Sequence, residues 1–241
     1  MLEEPARLRP GAAGIGFDLD HTLLIDNHLE RVAFLRLLED VILYGGSPRV
    51  SLAEEVRKVD DLLARQRAGL FSIEDAVLRF AVDRGAEASN SLVEKYKTLV
   101  LGMVESFVVP VPGVRVMLRA LRERGFGTAA LSNGWSPLQE RKAACIGFDG
   151  PVLASSVIGF QKPDARAFAA LVEALGVARS AVWYVGDDPR IDITGAAAAG
   201  LLTVWFDFEG TGYPQDAPPP TRKIASLSDL LVALQGTSAA P

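Results

Sequence analysis

Residues 13–23 read AGIGFDLDHTL, and this stretch decides the predicted fold. The small and apolar residues 13–17 are typical of a buried strand, and Asp18 and Asp20 stand at its carboxyl end. Because side chains alternate along an extended chain, the two acids point to one side and the apolar residues beside them point to the other. The stretch therefore predicts a strand with two carboxylates that face one ligand.

A helical pattern follows this strand over about 27–107. Its apolar residues recur at steps of three and four, as in Leu29, Val32, Leu35, Leu38 and Ile42. Two serine–acid pairs at a spacing of three, Ser72 with Asp75 and Ser91 with Glu94, are typical of helix starts. We therefore predict an all-helical block.

Helical and strand-like segments alternate after the linker Pro110-Val111-Pro112-Gly113. The predicted helices cover 114–124, 137–145, 163–175 and 192–199, and the predicted strands cover 128–131, 181–185 and 201–206. This alternation is typical of an α/β fold, in which helices cover the faces of a parallel sheet.

Polar residues follow the predicted strands, and they comprise acids, a hydroxyl, an amide and one cation. They are Asp18, Asp20, Ser132, Asn133, Lys162, Asp187, Asp188 and Asp192. Ligands of an open parallel sheet bind at the carboxyl ends of its strands, so these side chains are expected to meet. Clustered carboxylates repel one another unless a cation neutralises them, and Mg²⁺ prefers oxygen ligands, phosphate oxygens included. The pattern predicts a magnesium and phosphate site.

Three other ligand-binding motifs are excluded because the sequence does not match their required residues. A calcium-binding EF-hand loop that starts at Asp18 needs glycine and glutamate where Leu23 and Leu29 stand. A dinucleotide fingerprint that starts at Gly14 needs a third glycine where Leu19 stands, and no Gly-x-x-x-x-Gly-Lys sequence follows a predicted strand. Both the NAD and the ATP interpretations are excluded.

Composition and sequence pattern limit the possible binding partners and the possible cellular compartment. The 25 basic residues are scattered and are outnumbered by 30 acids, which disfavours nucleic-acid binding. No segment approaches the roughly 20 apolar residues of a membrane span, so no membrane partner is expected. The N-terminus carries charges and prolines where a secretory signal needs apolar residues, and the lone Cys145 suits a reducing compartment. We expect a cytoplasmic location.

Four segments, in order, resemble the four motifs of the haloacid dehalogenase-like hydrolase superfamily. They are FDLDHTL at 17–23, LSNG at 131–134, Lys162-Pro163, and VGDDPRID at 185–192. The resemblance implies an α/β fold with a doubly wound parallel sheet core, formed by residues 1–25 and 109–241. It also implies an inserted helical cap domain over residues 26–108, which hinges at Asp26-Asn27 and Val108–Pro112.

The resemblance assigns the chemistry to three side chains. Asp18 would be the nucleophile that takes the phosphoryl group as an aspartyl-phosphate. Asp20 would protonate the leaving alcohol and later activate water, and Lys162 would neutralise charge on Asp18 and on the transferring group.

Phosphate binding would belong to three further residues. The resemblance implies that Thr22 and Ser132 hold phosphate oxygens or orient the loop, and that Asn133 helps through its backbone.

Metal binding would belong to the acids, with Mg²⁺ as the cofactor. The resemblance implies that Asp187 binds the ion together with Asp18 and the backbone carbonyl of Asp20. Asp192 would orient the water ligands of the ion or Lys162. For Asp188, a place near the metal and a place as a helix-start acid remain equally open.

The expected function is hydrolysis of a small phosphorylated metabolite. A dehalogenase on the same core needs neither the acid at Asp20 nor the acid-rich fourth motif. A sugar-phosphate mutase and a protein that binds a phosphorylated ligand without turnover are further alternatives. Residues 133–139, NGWSPLQ, are similar to the pyrimidine nucleotidase and acylneuraminate phosphatase subgroup, and an apolar cap face could support a homodimer.

Overall fold

The computed structural model describes residues 13–47 and 50–234 of the chain. The segment before residue 13, on which the expectation about a secretory signal depends, lies outside the described residues. Residues 236–241, for which the sequence predicts a frayed tail, lie outside them as well. In the part that the structure describes, no helix combines the length and the apolar character that a bilayer crossing requires.

Strands and helices alternate along much of the chain. The strands are β1 (Gly14–Phe17), β2 (Leu24–Ile25), β3 (Val109–Pro110), β4 (Gly127–Ser132), β5 (Val152–Ala154), β6 (Val182–Gly186), β7 (Leu202–Phe206) and β8 (Arg222–Ile224). The helices are α1 (Leu29–Leu43), α2 (Leu52–Arg67), α3 (Ile73–Val82), α4 (Asn90–Phe107), α5 (Val114–Glu123), α6 (Leu138–Cys145), α7 (Ser155–Ile158), α8 (Ala165–Leu175), α9 (Thr194–Ala198) and α10 (Leu227–Ala233).

The central sheet has six parallel strands in the order β5-β4-β1-β6-β7-β8. Strand β1 lies in the middle, and the chain winds outward from it in both directions. Phe17, the last residue of β1, is in register with Ala130 of β4 and Val185 of β6. The carboxyl ends of these three strands therefore meet at one edge, and the predicted doubly wound parallel sheet is confirmed.

Each face of the sheet is covered by its own apolar core, because neighbouring residues of a strand point to opposite faces. Tyr184 of β6 belongs to one core together with Phe168 and Leu171 of α8. Trp183, the residue before it, belongs to the other core together with Leu121 of α5. Burial of each such large apolar side chain stabilises the fold by about 1.5–3 kcal/mol.

The helices α1 to α4 lie between β2 and β3, so the helical block, residues 29–107, interrupts the α/β chain as predicted. Aromatic packing joins three of its helices. The ring centroid of Phe34 in α1 lies 5.0 Å from that of Phe80 in α3 and 4.4 Å from that of Tyr96 in α4. Pairs at this separation add about 0.5–1.5 kcal/mol each to the burial of their area.

The two predicted helix starts have different outcomes. The capping box of α3 is confirmed, because Ser72 accepts from the backbone of Asp75 and the Asp75 carboxylate accepts from the backbone of Ser72. The pair Ser91 and Glu94 is wrong as a cap. Ser89 caps α4 instead, and its hydroxyl accepts from the backbone N–H of Ser91.

The two chain crossings between the sheet and the helical block lie side by side. Strand β2 pairs with β3 in antiparallel orientation, so part of the predicted linker after residue 108 is a strand. The Asn27 side chain donates to the carbonyl of Phe107 at 2.6 Å. Asn27 and His28 have φ values of 49° and 61°, in the left-handed region that non-glycine residues rarely adopt.

Two predicted helices differ at their starts. The helix predicted from residue 163 begins at Ala165, because the Asp164 carboxylate accepts from the backbone N–H of Arg166 and caps it. The helix predicted over 192–199 is divided into a π-helical turn, Pro189–Ile193, and the short α9. Asp192 therefore lies in an irregular turn.

Candidate active site

A cavity of about 1180 Å³ opens between the carboxyl edge of the sheet and the helical block. The sheet side contributes Asp18, Asp20, Ser132, Asn133, Lys162, Asp187, Asp188 and Asp192 to its wall. The helical block contributes Gln66, Arg67, Phe71, Ser72 and Glu74. This volume is large enough for a phosphorylated metabolite rather than for a phosphate ion alone.

Asp18 lies on the floor of the cavity and is buried. The Lys162 ammonium donates to Asp18 Oδ1 at 2.5 Å and to Asp192 Oδ1 at 2.7 Å. Burial raises the pKa of Asp18 well above its ordinary range, and the charges of Asp192 and Asp187 add to this effect, although Lys162 opposes it. Burial lowers the pKa of Lys162, but the carboxylates of Asp18 and Asp192 outweigh burial and raise it. Lys162 therefore stays protonated between two acids.

Three carboxylates converge beside this lysine. Asp18, Asp187 and Asp192 each offer an oxygen atom, and these atoms lie within 4.8 Å of one another. Burial and the nearby charge of Asp192 raise the pKa of Asp187 to about 6, although Thr22 opposes the shift by donating to Asp187 Oδ1 at 2.9 Å. A hard divalent cation would relieve this repulsion, and an all-oxygen donor set suits Mg²⁺.

The neighbours of Asp192 hold its carboxylate in place. Oδ2 accepts from the backbone N–H of Asp188 at 3.1 Å, and the Tyr184 hydroxyl lies 3.4 Å from Oδ1. A Cβ atom on Gly186 would lie 2.5 Å from the carboxylate of Asp192. Only glycine at this position lets β6 approach Asp192 so closely.

Asp188 is a helix-start acid, one of the two places that the sequence left open. Its Oδ1 accepts from the backbone N–H groups of Arg190 at 2.7 Å and Ile191 at 2.9 Å, at the first turn after β6. Although Asp188 lines the cavity, it is not a member of the acid cluster found among the described residues.

Of the three predicted phosphate-binding residues, Ser132 and Asn133 line the cavity, whereas Thr22 is buried and is not part of the cavity wall. Thr22 and Asn133 support the charged groups of the site. The Thr22 hydroxyl donates to Asp187, and the Asn133 amide makes two bonds of 2.8 Å with the backbone of Lys162. Ser132 is buried at the end of β4 and lines the cavity. The side chain of Asn133 thus orients Lys162, and its predicted backbone role stays a prediction.

Asp20 turns away from the acid cluster toward a lysine that the sequence analysis missed. The ammonium of Lys142 in α6 donates to Asp20 Oδ1 at 2.9 Å and to Asp26 Oδ2 at 2.8 Å. The sequence does carry one signal for it. Lys142 stands four residues after the apolar Leu138 on the face of α6 that faces the core, where a basic residue is unusual.

Glu30 was missed as well. Its buried carboxylate accepts from the Trp135 indole at 2.9 Å, from the Tyr96 hydroxyl at 3.2 Å and from the Arg67 guanidinium at 3.2 Å. Trp135 belongs to the loop after β4, whereas Tyr96 and Arg67 belong to the helical block, so Glu30 connects the two parts beside the cavity. No local sequence pattern indicates these contacts, because every partner is distant along the chain.

The fold and the site together define a class of protein: a doubly wound α/β chain with a helical insertion between β2 and β3 and an aspartate at the end of β1. The model of the haloacid dehalogenase-like hydrolase family matches residues 13–200. The chain belongs to this family of hydrolases, as the four sequence motifs indicated.

Several relatives and solved structures are similar to the chain. A phosphoserine phosphatase of Thermus thermophilus is 34% identical over 51% of this chain, a region that spans only 50% of that relative. A glyceraldehyde 3-phosphate phosphatase of Methanopyrus kandleri is 29% identical over 78% of this chain and 81% of its own length. A (S)-2-haloacid dehalogenase of a Pseudomonas species is 31% identical over 64% of this chain and 65% of its own length.

The fold is also similar to that of a hydrolase of the same superfamily from Bacillus subtilis, whose crystal structure was solved bound to magnesium. The two share 22% identity and a TM-score of 0.69, over 93% of this chain and 99% of the other. At this identity the similarity concerns the fold alone.

Proposed function

We propose that the protein is a magnesium-dependent phosphomonoesterase that acts on a small phosphorylated metabolite through an aspartyl-phosphate on Asp18. One observation carries the proposal. Asp18 lies on the cavity floor within the acid cluster, and Asp20, two residues later, lines the same cavity with a second carboxylate. The relatives named as phosphatases support this chemistry.

In the first step a carboxylate oxygen of Asp18 attacks phosphorus, and the bond between phosphorus and the ester oxygen breaks. Asp20 donates its proton to that oxygen, so the alcohol leaves in neutral form. Lys162 offsets the negative charge on Asp18 and on the transferring group through its bond to Asp18 Oδ1.

The second step returns the protein to its starting state. Asp20, now a carboxylate, takes a proton from water, whose oxygen bonds to phosphorus. The bond between phosphorus and the Asp18 oxygen breaks, inorganic phosphate leaves, and Asp20 is protonated again.

Asp18 and Asp187 would hold Mg²⁺, together with the backbone carbonyl of Asp20, and Asp192 would stand behind them. When bound, the ion supplies positive charge that offsets the repulsion between the phosphate ester and the three carboxylates. The raised pKa values of Asp18 and Asp187 are consistent with a site built for a cation.

Dehalogenation is the second candidate, because haloacid dehalogenases are among the relatives. In that reaction Asp18 would attack carbon and release halide. Protonation of a leaving alcohol is not part of it, so the position of Asp20 in the cavity wall favours phosphate chemistry.

The test is a panel assay of the wild-type protein. Phosphate release is measured from phosphoserine, glyceraldehyde 3-phosphate, pyrimidine 5′-nucleotides and 4-nitrophenyl phosphate, each with Mg²⁺ and with a chelator. Chloride release is measured from 2-chloropropionate in parallel. We expect Mg²⁺-dependent phosphate release and no chloride. Chloride release without phosphate release would favour the dehalogenase, and neither product would favour a protein that only binds a phosphorylated ligand.

The compartment and the partners complete the proposal. We place the protein in the cytoplasm, where the single thiol, Cys145, would stay reduced. The partner would be the metabolite itself.

A further inference from the structure

Lys142 is a buried cation that the proposed mechanism does not use. Lys142 belongs to α6, and its side chain is fully buried, with 0% of the residue exposed. Burial of an ammonium group is costly unless acidic partners compensate it. Lys142 has two such partners, Asp20 Oδ1 at 2.9 Å and Asp26 Oδ2 at 2.8 Å.

We infer that Lys142 is a positioning residue that holds the carboxylate of Asp20 in the orientation that protonates the leaving group. This inference rests on the proposed function, in which Asp20 is the general acid. The ammonium binds Oδ1, which leaves Oδ2 to carry the proton into the cavity that Asp20 lines.

The ammonium itself is fixed from the other side. Asp26 is buried, and its second oxygen, Oδ1, accepts from the backbone N–H of His28 at 3.1 Å. The lysine is therefore held at a carboxylate that cannot turn freely. On the same core-facing side of α6, Leu138 and Ala143 are buried in the apolar core and fix the helix.

The charge state supports the same arrangement. Burial lowers the pKa of Lys142, but the carboxylates of Asp20 and Asp26 outweigh burial and hold the pKa above its ordinary value. Lys142 therefore keeps its proton and acts as a fixed donor to Asp20, not as a proton carrier.

A simpler role for Lys142 is an ion pair that only joins α6 to the first chain crossing. The two roles predict different results when Lys142 is replaced, because they differ in how strongly the loss of activity depends on the leaving group of the substrate. A poor leaving group needs the proton of Asp20 as its bond to phosphorus breaks, whereas a good leaving group departs as an anion without it. A purely structural loss affects all substrates by the same factor.

The experiment measures kcat/KM with Mg²⁺ for phenyl phosphate, 4-nitrophenyl phosphate and 2,4-dinitrophenyl phosphate, which have similar shapes and increasingly good leaving groups. The variants are Lys142→Met, which removes the charge at similar length, and Lys142→Arg, which retains a cation. Ratios between substrates, measured on one sample, are independent of the fraction of protein that is folded.

We expect Lys142→Met to lower kcat/KM for phenyl phosphate about 10- to 100-fold more than for 2,4-dinitrophenyl phosphate, since a general acid contributes roughly 10²–10⁴. Lys142→Arg should show a smaller difference between the substrates. An equal loss for all three substrates, or no loss, would overturn the inference. If Lys142→Met does not fold, Lys142→Gln repeats the test with an amide donor.

Arg84→Met is the matched control. Arg84 forms another buried ion pair, with Glu55 of the helical block, and the two side chains are 6% and 4% exposed. Its loss should lower stability without changing the ratios between substrates. If the wild type hydrolyses none of the aryl phosphates, the proposed function itself fails. If the wild type hydrolyses them and the ratios do not change, only the role of Lys142 fails.

Discussion

Four charged side chains, three acids and a lysine, share a small volume at the end of β1 and β6. Lys162 neutralises Asp18 and Asp192 directly, at 2.5 and 2.7 Å, whereas the side chain of Asp187 is bonded by the uncharged hydroxyl of Thr22. Without a bound cation, the negative charge of Asp187 should therefore lower the free energy of unfolding by a measurable amount.

The substitution Asp187→Asn tests this cost at the scale of a residue. The pKa of Asp187 in the folded chain, about 6, is above its ordinary value of 3.8, so the folded state holds this proton over a pH range in which the unfolded state has lost it. The contribution of Asp187 to stability is present at low pH and is lost as the pH rises from about 4 to about 7.

In a chelator, Asp187→Asn should therefore unfold with nearly the wild-type free energy at about pH 4 and be more stable by about 1–3 kcal/mol at about pH 7. Urea denaturation across this range measures the difference. Asp83→Asn, at an exposed position in the helical block, is the control. A difference between Asp187→Asn and the wild type that does not change with pH would contradict the raised pKa.

At this scale the sequence predicted Asp18 and Asp187 because each directly follows a strand whose apolar pattern can be recognised, and it predicted Asp192 and Lys162 from the motifs to which they belong. It did not predict Lys142, since Lys142 and Asp20 are 122 residues apart along the chain. Glu30 was not predicted for the same reason, because its partner Trp135 is 105 residues away along the chain. The position of Lys142 on the core face of α6 indicates a buried cation, but the identity of its acidic partners depends on tertiary packing.

At the scale of an element, the turn after β6 decides where the acids point. The Asp188 carboxylate accepts from two backbone N–H groups of this turn, and the turn brings Asp192 into the acid cluster with Asp18 and Asp187. Asp187 belongs to the acid cluster whereas its neighbour Asp188 caps the turn, because successive side chains at a strand end point in opposite directions.

Substitution of Asp188 tests whether this residue only caps the turn or also binds the metal. Asp188→Ala should lower the free energy of unfolding by about 0.5–2 kcal/mol through loss of the cap, and Asp188→Asn should retain most of it, because asparagine caps well. Thermal denaturation with and without Mg²⁺ measures both effects. The stabilisation by Mg²⁺ should be the same in the wild type and in both variants. Loss of that stabilisation in Asp188→Asn would show that Asp188 binds the metal.

Long elements with a regular apolar pattern were predicted well, and short ones were not. Strands β1, β4, β6 and β7 were found because apolar runs mark them. Strands β5 and β8 have only three residues each, too few for a period to show. The cap of α4 was misplaced because Ser89 and Ser91 both precede the helical pattern, and only the backbone geometry shows which one begins it.

At the scale of the whole molecule, the helical block and the α/β core enclose the cavity between them. A Cβ atom on Gly69, in the turn after α2, would lie 2.2 Å from the Gln161 side chain, next to Lys162. The two parts therefore touch at the cavity mouth. The predicted hinge, Asp26-Asn27 and Val108–Pro112, directly follows β2 and includes its partner strand β3.

Crosslinking the two parts tests whether they must separate during turnover. In a Cys145→Ala background, Gly69→Cys and Gln161→Cys together provide two thiols across the cavity mouth for oxidation or for a short bifunctional reagent. We expect the crosslinked protein to lose at least about 90% of its phosphatase activity, since substrate entry and product release need an open cavity. Reduction should restore the activity, and the two single-cysteine variants control for strain at Gly69. Full activity in the crosslinked protein would show that the two parts can stay closed.

The central claim is that Asp18 is the nucleophile of a magnesium-dependent phosphatase, and Asp18→Asn tests it most directly. The measurement is the initial rate of phosphate release from 4-nitrophenyl phosphate with saturating Mg²⁺, for the wild type and for a folded Asp18→Asn variant. An amide oxygen is a poor nucleophile, so the rate should fall by at least about 10³-fold. Phosphate release by Asp18→Asn at a rate near that of the wild type would contradict the claim.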